Sequence, residues 1–290
     1  MGLSGVLAPV LTPFDADLKP DRDRFLQHCR NLREEGCSAL AIFGTTSEAN
    51  SLSVEEREQL FDHLLQNGVP ASRLLPGTGC CALSDTVRLT RMAAQAGCAG
   101  VLMLPPFYFK NVAEEGLYRS FAQVIERAPG VRVYLYHIPQ LTQVPIALPL
   151  IQRLRRQFGE TLAGLKDSSG DFESTRAVLK GVPGLEVFVG SEKLLLANLR
   201  EGGAGCITAT ANVNAAAIAR AFRERTGEAQ AALDGVRAAF EKLPLIPALK
   251  EAMARRTGHA GWRLVRPPLV ELADGLRAQV PAQLRAGESP

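Results

Sequence analysis

Leu162-Ala163-Gly164-Leu165-Lys166 is an apolar run that closes on a lysine, and Asp167-Ser168-Ser169-Gly170 follows it as a polar, glycine-ended loop. A short continuous apolar run bounded by a turn signal reads as a strand covered on both faces. Its last residue is the anomaly. Among 33 basic residues only seven are lysine, and Lys166 alone ends an apolar strand; the other six fall in polar or helical contexts. The same pattern repeats in both directions. Strand-like runs are expected at residues 6–11, 39–43, 73–77, 100–104, 131–136, 162–166, 186–190 and 205–208, with amphipathic helical segments between them. Eight strand–helix units over roughly 225 residues match the size of a (β/α)8 TIM barrel. A doubly wound sheet is the alternative, but no GxGxxG follows the first strand.

The helical segments carry their own punctuation. Ser53-Val54-Glu55-Glu56 reads as a capping box. Ser84-Asp85 is expected to cap a helix running to Ala96, with Gly97 as its stop, and Pro149 suits the first turn of a helix ending at Phe158. After about Arg225 the alternation ends. Residues 227–243, 246–257 and 267–277 look helical, which divides the chain into a catalytic barrel (1–225) and a C-terminal helical domain (226–290). No low-complexity linker separates them, so packing of one on the other is expected.

Composition narrows the function. The chain has 290 residues, 46% hydrophobic and 22% charged, with a net charge of +3. That is an ordinary globular protein. With no basic run beyond Arg155-Arg156 and Arg255-Arg256, a nucleic-acid partner is not expected. Three charge-free windows (92–109, 133–152 and 202–219) are broken by Pro, Gly, Asn or Gln, and read as buried strands rather than membrane spans. Met1-Gly2-Leu3-Ser4 has no basic-then-apolar leader pattern, and the six cysteines show no CxxC spacing. A cytoplasmic protein with reduced thiols is expected.

In a parallel barrel the chemistry gathers at the C-terminal ends of strands. This selects Gly44-Thr45-Thr46-Ser47-Glu48, Tyr136-His137 and Lys166-Asp167. A desolvated amine favours the neutral form that attacks a carbonyl. Lys166 equally fits a lysine snorkelling from the barrel mouth or pairing with Asp167. Thr45 and Thr46 offer hydroxyls and successive N–H groups that can hold a small carboxylate, or that merely satisfy a loop. Tyr136 is a proton-transfer phenol or a core residue with a satisfied hydroxyl. The histidines (His28, His63, His137 and His259) show neither HxH nor HExxH spacing, so no metal is expected. Phosphate-loop and GxSxG signatures are absent.

Gly44-Thr45-Thr46-Ser47-Glu48, Tyr136-His137-Ile138-Pro139 and Gly164-Leu165-Lys166-Asp167, in this order and spacing, resemble the dihydrodipicolinate synthase / N-acetylneuraminate lyase family. The resemblance runs from Gly5 to the C-terminal helices. It implies a (β/α)8 barrel with a C-terminal helical extension, assembled as a homotetramer (a dimer of dimers) or a homodimer. It implies that Lys166 forms a Schiff base with pyruvate or another 2-oxo acid, with no external cofactor. Tyr136 would transfer protons, Thr45 and Thr46 would bind the carboxylate and relay protons, and Tyr108 would reach the neighbouring subunit's site. Gly190 and Ile207 would line the pocket. Three departures matter. Ser47 replaces the family's second glycine, His137 replaces its asparagine, and Leu141 stands where true synthases carry an arginine for the aldehyde substrate's carboxylate. The acidic pair of sialate lyases aligns with Glu192-Lys193, which argues against sialic acid. Glu192 and Lys193 could instead meet a distal substrate group, or form a surface pair. The expected activity is therefore a class I pyruvate-dependent aldolase or lyase acting on a short 2-keto-3-deoxy sugar acid or 4-hydroxy-2-oxo acid, with an aldehyde as the second reactant. Dihydrodipicolinate synthase is one alternative. A non-catalytic keto-acid-binding barrel is the other.

Overall fold

The computed structural model describes residues 2–281; Met1 and the last nine residues of the expected C-terminal domain lie outside the described residues. The described strands are β1 (Gly5–Ala8), β2 (Ala39–Leu40), β3 (Val101–Met103), β4 (Val133–His137), β5 (Leu162–Asp167), β6 (Glu186–Val189) and β7 (Gly205–Ile207). Each is followed by helical structure, and every strand pairing described is parallel. No helix among the described residues is long and apolar enough to cross a membrane.

Two compact units divide the chain, one built from Pro70–Ile207 with the first residues, the other from Gly5–Val69 with the segment from Thr208 onward. In the first, β3, β4, β5, β6 and β7 lie side by side in chain order. Alternate side chains of these strands face opposite ways. Val101, Met103, Val133, Leu135, Leu165 and Val187 join Leu117, Phe121, Ile151 and Leu154 from the covering helices in one apolar cluster. Tyr134, Tyr136, Gly164, Lys166 and Phe188 belong to the other face. There Tyr134 needs room: a Cβ at Gly164 would overlap its ring, and one at Gly100 would lie 2.6 Å from it. The Tyr134 hydroxyl donates to Glu186 Oε2 (2.5 Å), which also accepts from Leu3 N–H (2.9 Å), while Arg132 donates to Glu186 Oε1 (2.6 Å). The two glycines are thus explained by one buried phenol.

The expected third strand at 73–77 is reduced to isolated bridge positions at Leu74 and Gly77, the latter pairing in parallel with Leu102. Leu74 and Leu75 are fully buried and Pro76 O accepts from Leu102 N–H, but Pro76 has no N–H to return to a ladder. The capping box at Ser53 is present in both directions, Glu56 N–H to Ser53 Oγ (3.1 Å) and Ser53 N–H to Glu56 Oε2 (2.9 Å). Gly97 ends the helix Leu83–Ala96 in the left-handed conformation (φ 74°), and Pro149 lies in the first turn of Leu148–Phe158. Ser84-Asp85 does not cap. Ala82 occupies the cap position without a side-chain bond, and Asp85 sits in the first turn, where its charge suits the helix dipole.

In the second unit β1 pairs with β2, Leu7 opposite Ala39 and Ala8 opposite Leu40. The helices Gly227–Glu241 and Leu245–Thr257 stand where the sequence predicts them, and pack Phe240, Leu249 and Met253 around Leu11, Val213 and Trp262. The helix expected over 267–277 shrinks to Asp274–Arg277. Pro267 and Pro268 leave two backbone positions without donors, and the peptide bond between them is cis.

Buried in this unit is His28, edge-on to Trp262 with ring centroids 5.1 Å apart. Asn212 organises it. Its Nδ2 donates to Pro9 O and Ala209 O, and its Oδ1 accepts from Leu11 N–H and lies 2.9 Å from His28 Nε2. His28 must therefore carry its proton on Nε2. Burial lowers its pKa from 6.5 to about 4, against the opposing hydrogen bond to Asn212. Because the folded value is lowered, the unfolded chain binds the proton first as the pH falls below 6.5. The stability His28 confers is thus present above that pH and lost towards pH 4, by roughly 3 kcal/mol. His28→Gln keeps a donor for Asn212 and cannot titrate. In urea unfolding between pH 7 and pH 4, its stability should fall less steeply than that of wild type; parallel curves would contradict the assignment.

Candidate active site

Parallel register brings the predicted residues of the first unit onto one face. Lys166 of β5 lies opposite Tyr136 of β4 on one side and Phe188 of β6 on the other. Its side chain is not extended into solvent: Lys166 is 4% exposed, and Nζ sits 4.1 Å from the centroid of the Tyr136 ring. An ammonium over a phenol face is held electrostatically by the ring quadrupole, and all the more so when water is excluded. Both alternatives open to Lys166 in the sequence, snorkelling and pairing with Asp167, are therefore replaced by a buried amine packed on a tyrosine.

Asp167 is occupied elsewhere. One residue on from Lys166, it faces the other way, and its carboxylate accepts from Ser169 N–H (2.8 Å) and Thr175 Oγ1 (2.8 Å). Its neighbour across the strands is His137, whose Nδ1 accepts from Ile146 N–H (3.1 Å). Burial lowers the His137 pKa, with Asp167 pulling the other way. The imidazole is thus a neutral acceptor that pins the loop after β4. Backbone bonds stitch these strand ends together: Ser168 N–H to His137 O (2.8 Å) and Gly190 N–H to Asp167 O (2.7 Å). Gly190 has no space for a side chain, since a Cβ would overlap the Ser168 hydroxyl. A small residue is required here by close packing against the loop after Lys166.

The remaining predicted positions of this unit lie on the later strands and loops. Ile207 is buried at the end of β7. Glu192 and Lys193 do not form a surface pair, because Glu192 is wholly buried while Lys193 is exposed. Both belong to a short 3-10 turn, Glu192–Leu194, opened by Ser191 Oγ, with the α-helix proper starting at Leu195. Leu141 lies on the one-turn helix Pro139–Thr142 after β4 and is 62% exposed. Tyr108, 73% exposed, stands edge-on to the equally exposed Phe109 at 5.3 Å. Among the described residues no three His, Cys, Asp or Glu side chains cluster as metal ligands.

Thr45 and Thr46 belong to the second unit, in a turn between two non-glycine residues in left-handed conformation, Phe43 (φ 59°) and Glu48 (φ 54°). The turn is cross-tied. Ser47 N–H and Ala49 N–H both reach Gly44 O, and Glu48 N–H reaches Thr45 O. Ser47 accounts for its departure from glycine: its buried hydroxyl donates to Val10 O and accepts from Gly44 N–H (3.2 Å), while its carbonyl accepts from Thr12 Oγ1 (2.7 Å). The chief omission of sequence reasoning is Lys250. Its place on a helix is as the sequence reads it, but its ammonium and the Glu48 carboxylate form an ion pair with both side chains inaccessible to solvent. The apolar setting of Lys250, Pro247-Ala248-Leu249 before it and Ala252-Met253-Ala254 after it, was the available signal.

The Dihydrodipicolinate synthetase family matches residues 2–287. A protein of Chloroflexus aurantiacus described as an uncharacterized DapA-like lyase is 36% identical, the alignment covering 99% of this chain and 98% of that one. The crystal structure of dihydrodipicolinate synthase from Agrobacterium tumefaciens superposes with a TM-score of 0.88 at 31% identity, covering 95% of this chain and 96% of that one. YagE of E. coli K12, solved in complex with pyruvate, superposes at 0.85 with 27% identity and 96% coverage of each chain. The fold is accordingly the (β/α)8 barrel with its C-terminal helices that the sequence predicts, and the chain belongs to the dihydrodipicolinate synthetase family as one of its lyases.

Proposed function

We propose that this protein is a class I pyruvate-dependent aldolase in which Lys166 carries the substrate as an imine. The observation that supports this best is the buried lysine at the end of β5, its Nζ over the ring of Tyr136. A neutral Lys166 amine adds to the C2 carbonyl of a 2-oxo acid and water leaves, giving an iminium that draws electrons from C3. In the cleavage direction the C3–C4 bond breaks, the 4-hydroxyl gives up its proton as the aldehyde departs, the enamine is reprotonated at C3, and water hydrolyses the resulting iminium to release pyruvate and the Lys166 amine. Tyr136 is the proton carrier. By the family resemblance Thr45 and Thr46 receive the keto acid's carboxylate, and Gly190 and Ile207 line the pocket. No metal or other cofactor enters this chemistry. Tyr108 and Phe109, exposed on the single chain, are covered by a second copy in the proposed homodimer or homotetramer, where Tyr108 serves the partner's site.

The substrate we propose is a short 2-keto-3-deoxy sugar acid or 4-hydroxy-2-oxo acid. Leu141 supports this. A substrate carboxylate near it would lack the bidentate guanidinium of the synthases, a charged hydrogen-bonded partner worth up to about 3 kcal/mol. Lys193, exposed on the turn after β6, is the residue we assign to a distal hydroxyl or carboxylate of the substrate.

Borohydride reduction in the presence of pyruvate should add one reduced pyruvyl group to the peptide containing Lys166. Lys166→Arg should abolish the adduct, because a guanidinium stays protonated. An adduct on another lysine, or none on the wild type, would refute the mechanism. Tyr136→Phe should still be labelled while turnover falls by about 10²–10⁴-fold; unchanged kcat would make Tyr136 a packing residue.

Substrate choice is tested by kcat/KM for aspartate semialdehyde with pyruvate, 4-hydroxy-2-oxoglutarate and 2-keto-3-deoxygluconate. The semialdehyde should be used least well. If it is used most efficiently, the protein is a dihydrodipicolinate synthase despite Leu141. Labelling of Lys166 without turnover of any of the three would point to a keto-acid-binding barrel.

A further inference from the structure

The turn that carries Thr45 and Thr46 is held by a charge network remote in sequence. Glu48 ends the turn in a left-handed conformation, which disfavours a non-glycine residue and persists only where surrounding structure over-determines it. The over-determination comes from the C-terminal segment. Glu48 Oε1 pairs with Lys250 Nζ, and Oε2 accepts the backbone N–H of Arg266 at 2.9 Å. Lys250 Nζ also donates to Leu264 O (2.6 Å) and lies 4.3 Å from the centroid of the Phe14 ring. The Arg266 guanidinium covers the same ring at 5.0 Å and donates to Leu18 O (2.8 Å), Ser51 O (2.6 Å) and the Glu56 carboxylate. Burial lowers the Lys250 pKa to about 8 against the pull of Glu48. These contacts fasten both ends of the segment 48–56, and nothing in the proposed chemistry uses them.

We infer that Lys250 and Arg266 are positioning residues for the keto-acid-binding turn: through Glu48 they hold Thr45 and Thr46 in the conformation that receives the substrate carboxylate. This rests on the proposed aldolase reading. A buried ion pair adds little to folding relative to a neutral pair of similar volume, whereas removing one partner alone is strongly destabilising. The pair is therefore available for a task other than stability, namely fixing a backbone conformation that a neutral pair would leave free to relax.

The test uses the full-length enzyme and follows borohydride trapping on Lys166 as a function of pyruvate concentration. Wild type must label, and its failure would overturn the aldolase reading together with this inference. The double variant Glu48→Gln/Lys250→Met replaces both charges at once, which avoids stranding either. It should fold with a thermal midpoint close to wild type, yet need at least tenfold more pyruvate for half-maximal trapping, with a much smaller change in the limiting rate. Arg266→Lys, which keeps one charge but not the contacts to Leu18, Ser51 and Glu56 together, should shift the pyruvate dependence in the same direction by a smaller factor. It serves as the deciding variant if the double one does not fold. Wild-type pyruvate dependence in whichever folded variant is measured, or a loss of limiting rate without a shift in concentration dependence, would overturn the positioning role.

Discussion

The parallel register of β4, β5 and β6 is the constraint on which the site depends. In a parallel pair, residues opposite each other project to the same face, so setting Tyr136 opposite Lys166 and Lys166 opposite Phe188 determines what the amine touches. A slip of one residue would send Lys166 into the apolar layer beneath the helices, among Leu135, Leu165 and Val187, and turn Asp167 inward. That layer resists the slip, because its side chains have no other place out of water.

Closely spaced backbones keep the register. Gly100 and Gly164 make room for Tyr134 two residues before Tyr136, and the Tyr134 hydroxyl, Arg132 and Leu3 converge on Glu186 at the start of β6. The opposite strand ends are tied by different chemistry: Gly190 N–H donates to Asp167 O, Ser168 N–H to His137 O, Ser169 N–H to the Asp167 carboxylate and Ile146 N–H to His137 Nδ1, all within 3.1 Å. Lys166 thus sits between a phenol–carboxylate anchor at one end of the strands and a loop-stitching layer at the other. Neither anchor is reactive in the proposed chemistry; both restrict where the reactive amine can go.

Two of the departures from the family pattern are tied into the backbone around them. Ser47 and His137 each replace a residue by one whose polar atom meets a backbone group, so they preserve loops. Leu141 has no such compensating bond. It is an exposed apolar side chain on the short helix Pro139–Thr142.

Much of this was legible in the chain itself, because parallel strands covered on both faces announce themselves as short apolar runs and a lysine at the end of one is conspicuous. The capping box at Ser53, the stop at Gly97 and the two long C-terminal helices were equally local and equally readable. The third strand and the helix over 267–277 are shorter than their apolar content suggests because donors are missing, at Pro76 in one and at the Pro267-Pro268 pair in the other. What only the tertiary structure decided are pairings between residues far apart in sequence: Lys166 on Tyr136 across neighbouring strands, and Glu48 with Lys250 two hundred residues later. A lysine's sequence neighbours indicate whether it is buried. Which group meets its charge depends on register and helix docking, and these are settled by the whole apolar core rather than by any local signal.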